Sequence, residues 1–545
     1  MKPFGTLRMV RGCMLAIAAM ATPRIAATGQ SCDTVTSRVG LSAVSGRPIR
    51  SLDIVTLPPV SLPQPVRAFG RLHTATRAAT VRRELLFVVG DSVDTLRVAE
   101  SLRRLRALSY LEDVQLLART CADSLAVALT LTTRDAWSAQ PIFTVRSRSV
   151  AFGVAETNAL GTGRTVRLAI QSDPQGLGAG ASVRDRGLWN GRVDGQLAST
   201  IYSTGDAWMF AFRPRRRDIA DDWTGELRGS GSNREVERGP GDRFDRVRLS
   251  LLGGRRLTSA MGAPAALYGL LGAELDRANV DSSAEEPLLG PTVVARRFVA
   301  ADIGISRRAI RFDTLGWVLR HDGIVDIPSA AEGEMIAGFG RDFADGRAKV
   351  HLDGWGGRVW TLENRALMLG GLWASGFLTR HTLEAATSRV SLVGIVPAAN
   401  GAWSVRIAAE RLYVPDPTVR ALASIDPVGA MLPREAQLAE GAGSASLERA
   451  VRLKDIGRST ELDAALFAAF ARRWDPASLG DKDIGAGILG VGLRLSSSRI
   501  PRATVRLDVG YPVVYRVGLR ARPLYALSIT PWFTTGRQRE GLQSP

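Results

Sequence analysis

The chain has 545 residues, 45% hydrophobic and 23% charged, enough for a large core or several domains. Its 71 Lys and Arg against 53 Asp and Glu give a formal net charge of +18. Only Lys2, Lys349, Lys454 and Lys482 are lysines, and the arginines are spread along the chain, so the charge reads as a compositional bias rather than a nucleic-acid-binding face. Past the N-terminus no run reaches the roughly 18 apolar residues of a spanning helix. A membrane barrel stays open, because its short alternating strands average to near-neutral hydropathy.

The first 28 residues read as a secretory signal peptide. Lys2, Arg8 and Arg11 precede the apolar core Gly12–Ala21, and small residues follow. Cys32 and Cys121 then remain, and in an oxidising compartment they could pair. Residues 46–138 form a small α+β domain. Arg47–Leu57 alternates as a strand, and part of Val66–Phe87 has helical spacing. Thr95–Leu111 reads as an amphipathic helix with Leu96, Ala99, Leu102, Leu105 and Leu108 as its apolar stripe. Two alternating strands come next, EDVQLLAR and LAVALTLTTRD, giving the order strand, helix, helix, strand, strand.

From residue 141 the helical signal stops and short alternating segments take over. Val166, Leu168 and Ile170 oppose Arg167, Ala169 and Gln171; Val247, Leu249 and Leu251 oppose Arg248 and Ser250; Val350 and Leu352 oppose His351 and Asp353. One apolar and one polar face per strand is the pattern of a transmembrane barrel. At roughly 25 residues per strand and turn, residues 141–533 predict 16 strands, an even number as bacterial barrels require. A polar tail, 534–545, ends the chain.

Chemistry is sparse. The four histidines, His73, His321, His351 and His381, are not at metal-ligand spacing, and no His-Glu-x-x-His occurs. No Gly-x-Ser-x-Gly elbow is present. The stretch ETNALGTGRT (Glu156–Thr165) resembles a phosphate loop, but it has neither the Lys-Ser/Thr ending nor a third glycine at the required spacing. The adjoining segment Arg164–Asp173 alternates with a period of two, so Asn158, Gly161 and Gly163 are expected in a tight hairpin turn. The expectation is a non-enzymatic protein without metal or cofactor.

Three segments carry a family resemblance. Val81–Leu116 resembles a POTRA domain through Gly90, Asp91, Glu100, Ser101, Arg103, Leu105, Arg106, Tyr110, Leu111, Asp113 and Val114. ETNALGTGRTVRL resembles the first barrel hairpin of BamA/TamA-like outer-membrane proteins, the bacterial surface antigen superfamily, and Gly490–Val513 resembles that barrel's closing strands. The resemblance implies one periplasmic POTRA domain and a 16-stranded barrel in the cell outer membrane. It also implies a role in assembly, insertion or translocation of outer-membrane proteins, with unfolded client chains, lipids and lipopolysaccharide as partners; the alternative is a passive pore or a structural relative without client handling. In the closing strand YALSITPWF, Tyr525, Leu527, Ile529 and Phe533 share one face, and Pro531 can give nothing to a ladder. The family's lumen-loop tripeptide, Arg-Gly-Phe/Tyr, is reduced here to Arg420, with Ala421 and Leu422 in the other two places.

Overall fold

The computed structural model describes residues 35–59, 73–121, 125–146, 149–173, 176–215, 221–235, 243–258, 264–281, 295–319, 323–362, 365–413, 421–422, 438–439, 441–456, 460–474, 484–497, 503–515 and 523–531. The signal peptide, Cys32, Arg420, Phe533 and the polar tail lie outside the described residues.

The N-terminal elements are β1 (Val35–Val39), β2 (Ile49–Leu57), α1 (Ala78–Arg82), α2 (Thr95–Arg106), β3 (Leu111–Cys121) and β4 (Val127–Asp135). The expected order is therefore present, with one addition: β1 lies upstream of residue 46 and pairs with β3 from Val35–Cys121 to Val39–Ala118. The four strands form a sheet in the order β1-β3-β4-β2.

The chain divides into two compact units. One contains Met1–Asp53, Val88–Asp94 and Leu117–Thr130. Its core is Val44, Ile49, Val93, Val127 and Leu129, and the backbone N–H groups of Gly46, Val93 and Val127 bond to Val93, Arg47 and Pro48. Cys121 is disulfide-bonded. The other unit contains Ile54–Phe87, Thr95–Leu116 and Leu131–Pro545. Within it, α2 buries Val98, Ser101 and Leu105, whereas Leu96 is exposed. The sequence stripe at three-residue steps drifts off a 3.6-residue helix, and Ser101 takes the central place because its hydroxyl is satisfied: it donates to Arg97 O and accepts from the Leu86 N–H.

The wall starts with β5 (Ala139–Arg146), β6 (Ser149–Ala159), β7 (Arg164–Asp173), β8 (Gly176–Gly187), β9 (Val193–Tyr202) and β10 (Gly205–Pro214). It continues with β11 (Trp223–Glu235), β12 (Arg243–Arg256), β13 (Ala265–Asp281) and β14 (Arg296–Ala309). A separate hairpin, β15 (Phe312–Leu319) and β16 (Gly323–Pro328), comes next. The wall resumes with β17 (Glu332–Asp342), β18 (Ala348–Thr361), β19 (Leu367–Leu378), β20 (Leu383–Ala398) and β21 (Gly401–Tyr413). Two short strands, β22 (Ala421–Leu422) and β23 (Leu438–Ala439), pair with each other in a long loop. The last strands are β24 (Gly441–Asp455), β25 (Thr460–Trp474), β26 (Ile484–Ser497), β27 (Ala503–Tyr515) and β28 (Leu524–Pro531).

Twenty of these, β5–β14, β17–β21 and β24–β28, close into one antiparallel barrel. Among the described residues the wall has 20 strands, where 16 are expected from the sequence. The wall averages about 20 residues per strand rather than 25, because connections are as short as two residues at both ends, Tyr202 to Gly205 at one and Ala398 to Gly401 at the other; the end with the Asn158–Gly163 turn, opposite the longest connection, 414–440, is the short-turn end.

Alternation sorts the side chains. Leu271, Leu275, Val299, Ile303, Ile305, Met335, Phe339, Leu372, Val491 and Val509 stand exposed on the outer face. Their sequence neighbours Glu274, Asp276, Asp302, Lys349, His351, Arg494, Arg506 and Asp508 are buried on the inner one. A large apolar outside around a charged inside is unfavourable in water and favourable in lipid. At the short-turn end, outward arginines stack on outward tryptophans: Arg255 on Trp223 (5.8 Å), Arg358 on Trp360 (5.7 Å) and Arg449 on Trp403 (5.4 Å). Such belts sit at a membrane interface. Among the described residues no helix is long and apolar enough to cross a membrane.

Candidate functional site: a weak seam, a docked turn and an inner hairpin

Three features of the barrel unit set it apart from a plain cylinder. The first is the seam. Among the described residues, β28 meets β5 only through Leu527–Val145 and Ser528–Thr144. By contrast β27 pairs with β28 from Ala503–Pro531 to Gly510–Leu524, and β5 with β6 from Ala139–Glu156 to Arg146–Ser149. Continuing the seam register sets Pro531 opposite Pro141, and neither has an N–H to place in a ladder. Pro531 stood out in the sequence and Pro141 did not, although a proline in the first alternating segment was a signal that could have marked it. Tyr525 is exposed and Leu527 half-buried on the outer face.

The second feature is the turn that links β6 to β7. Asn158, Gly161 and Gly163 do form it, but β5 precedes it, so it joins the second and third wall strands. Leu160, Gly161 and Gly163 all have positive φ, at 56°, 71° and 73°. Asn158 is 1% exposed and holds the turn from within: its Oδ1 accepts from the Gly163 N–H (2.8 Å) and its Nδ2 donates to Thr76 Oγ1 (2.8 Å). The preceding segment docks on this turn. Arg77 N–H and Thr80 Oγ1 both donate to Gly161 O (3.0 and 2.9 Å), and Arg83 Nη2 donates to Thr162 O (2.7 Å). Asp135, 0% exposed, accepts from the Thr76 N–H (2.8 Å) and faces His73 Nε2 at 3.0 Å. A side chain at Gly163 would strike the Tyr110 hydroxyl. Tyr110 is buried, and burial pushes its phenol well above the usual range, so it stays neutral. Arg215, from the RPRRRD cluster, pairs with Glu84, so part of that cluster is a structural anchor.

The third feature was not visible in the sequence. The β15–β16 hairpin leaves the wall at the short-turn end, with its base closed by Ser329 N–H to Arg311 O (3.1 Å). It turns inward: Ile327 packs on Leu367, Leu369, Ile395 and Ala402, residues of the barrel's inner face. Its other side faces α2. Arg106 forks onto Asp326 (2.7 and 3.2 Å), and Arg103 lies 4.1 Å over the Phe312 ring. Arg103 and Arg104 also hold Glu100, at 2.6 and 3.1 Å. Burial alone would raise the Glu100 carboxyl, but these two arginines outweigh it and hold it below the usual carboxylate range.

Among the described residues the inner wall carries several ionic groups, two of which join three or more charges. Lys349 contacts Asp342, Asp345 and Glu384 at 3.0, 2.8 and 2.9 Å, beside Arg248–Glu274 (2.7 Å) and His351 Nδ1–Glu274 (2.9 Å). Across the lumen wall, Glu448 joins Arg494 and Arg506 at 2.7 and 2.9 Å. These charges are paired, as buried charges must be. Among the described residues no group of three or more His, Cys, Asp or Glu could hold a metal ion. Ala421 and Leu422 sit in β22, paired with β23.

The closed antiparallel wall, apolar outside and charged inside, defines a membrane-spanning β-barrel of the outer-membrane type. No family model and no curated protein matches the chain. Among solved structures it is similar to BamA from Haemophilus ducreyi lacking POTRA domains 1–3, at 11% identity over 88% of this chain and 84% of that one, with a TM-score of 0.33. It is similar to CdiB from Acinetobacter baumannii at 12% identity, over 88% and 73% of the two chains, with a TM-score of 0.38. For CdiB from Escherichia coli the identity is 11%, the coverage 91% and 80%, and the TM-score 0.45. At these scores the likenesses add no argument to the barrel read from the strand pairing.

Proposed function

We propose that this is a BamA/TamA-like outer-membrane protein that takes part in assembling or translocating other outer-membrane proteins, without enzymatic chemistry. In this reading the N-terminal α+β domain is a POTRA domain in the periplasm, its sheet edge receives client strands by β-addition, and the barrel end with the Asn158–Gly163 turn, on which Arg77, Thr80 and Arg83 dock, faces the periplasm. Clients then pass to the lipid through the seam between β5 and β28. The observation that carries the reading is that seam: among the described residues, two paired positions with facing prolines to one side, in a wall whose other neighbours pair along most of their length. Opening it breaks few hydrogen bonds, and a client strand added to the freed edge replaces them, which matters because a backbone group left bare in lipid costs several kcal/mol.

Depletion of the protein followed by outer-membrane proteomics tests the proposal. The expected result is loss of one or more other barrels from the membrane. Normal abundance of every other barrel refutes the assembly role; a conductance in planar bilayers that survives deletion of residues 46–138 then identifies a passive pore.

A further inference from the structure

The loop end of the barrel carries an outward patch of arginines. Arg277 near the end of β13 stands directly opposite Arg297 at the start of β14. Arg341 on β17 is opposite Val299, one step along the same outer face from Arg297. All three are exposed and continue the face that bears Leu275, Val299 and Phe339. They therefore lie where the apolar wall gives way to the loops.

The three have no acidic partner among the described residues. Arg341 Nε donates to Gly346 O (3.2 Å), and Arg277 Nη2 lies 3.2 Å from the Asn279 amide. The nearby carboxylates are committed elsewhere on the inner face, Asp276 to Arg246 and Asp342 to Lys349. Asp245 shares the outer face, but it stands opposite Asn279 and not opposite Arg277. The outward arginines Arg255, Arg358 and Arg449 at the other end rest on tryptophans instead.

Like charges directly opposite on neighbouring strands are destabilising. Next to lipid the repulsion is less screened than in water. An anion held between the guanidinium groups removes that cost, and the planar forks suit phosphate oxygens in pairs.

We propose that Arg277, Arg297 and Arg341 bind the phosphorylated headgroup of an outer-leaflet glycolipid, lipopolysaccharide, while Leu275, Val299 and Phe339 take its acyl chains. The inference rests on the orientation in the proposed function, loop end outward, and is independent of client handling. The patch ties the loop end of β13, β14 and β17 to the outer leaflet.

The full protein in non-ionic detergent is mixed with bisphosphorylated lipid A, with its dephosphorylated form, or with inorganic phosphate, and bound lipid is read by native mass spectrometry. Wild type is expected to retain bisphosphorylated lipid A. The triple variant Arg277→Gln/Arg297→Gln/Arg341→Gln should lose about tenfold in affinity, while Arg255→Gln/Arg358→Gln/Arg449→Gln keeps it. A heat-dependent shift in gel migration certifies that each variant is a folded barrel. Equal binding by the triple variant, equal binding of the dephosphorylated lipid, or displacement by millimolar inorganic phosphate overturns the site. Labelling of Arg347→Cys by an impermeant maleimide on whole cells checks the orientation separately: labelling places this turn outside, and its absence sinks the inference through the orientation alone. Normal abundance of every other barrel in the depletion experiment refutes the assembly role and leaves the lipid result standing, so the two readings fail separately.

Discussion

A disulfide between Thr144→Cys and Ser528→Cys is expected to abolish the protein's function while leaving the barrel folded. The two positions are opposed in the seam register. Opposed residues on antiparallel strands have Cα atoms about 4.5–5.5 Å apart, within the range a disulfide spans. If clients leave through the seam, the oxidised double variant falls to the level of depleted cells and reductant restores it. Each single cysteine should behave as wild type. A fully oxidised seam that still supports normal assembly shows that clients do not pass there.

Excision of Phe312–Pro328 is expected to raise single-channel conductance several-fold. The hairpin's base is already closed, since Arg311 O accepts from both the N–H and the hydroxyl of Ser329, so a short glycine linkage can replace it with little disturbance to β14 and β17. Ile327→Asp should act in the same direction, because it puts a charge among Leu367, Leu369 and Ile395 and drives the hairpin off the inner wall. Losing the Arg106–Asp326 pair costs little by itself, about 1 kcal/mol for a partly exposed pair. Unchanged conductance in both variants means the hairpin does not restrict the short-turn mouth.

Much of the wall was legible in the sequence because its physics is local. A period of two, with Leu249 and Leu251 against Arg248 and Ser250, or Leu352 against His351 and Asp353, fixes which face meets lipid. The same locality explains the order of the N-terminal elements and the turn at Asn158–Gly163, where positive φ selects glycine. The features that were not legible depend on distant partners. The strand count failed because turn lengths vary and nothing local announces closure. The helix stripe failed at Ser101, whose burial is decided by its bond to Leu86. The inward hairpin failed because Phe312–Pro328 alternates like any wall strand, and only Ile327 against Leu367 and Ile395 shows where it goes. The seam needed both Pro531 and Pro141, residues 390 positions apart that only the register brings together.

A photo-reactive amino acid at the closing strand tests the central claim most directly. Tyr525 is exposed on the outer face of β28, and Leu372 is exposed on β19, elsewhere on the wall. With the probe at Tyr525, cells irradiated during growth should yield crosslinks to newly made outer-membrane proteins, and with the probe at Leu372 they should not. Equal crosslinking at both positions, or none at Tyr525, would contradict a seam that handles clients.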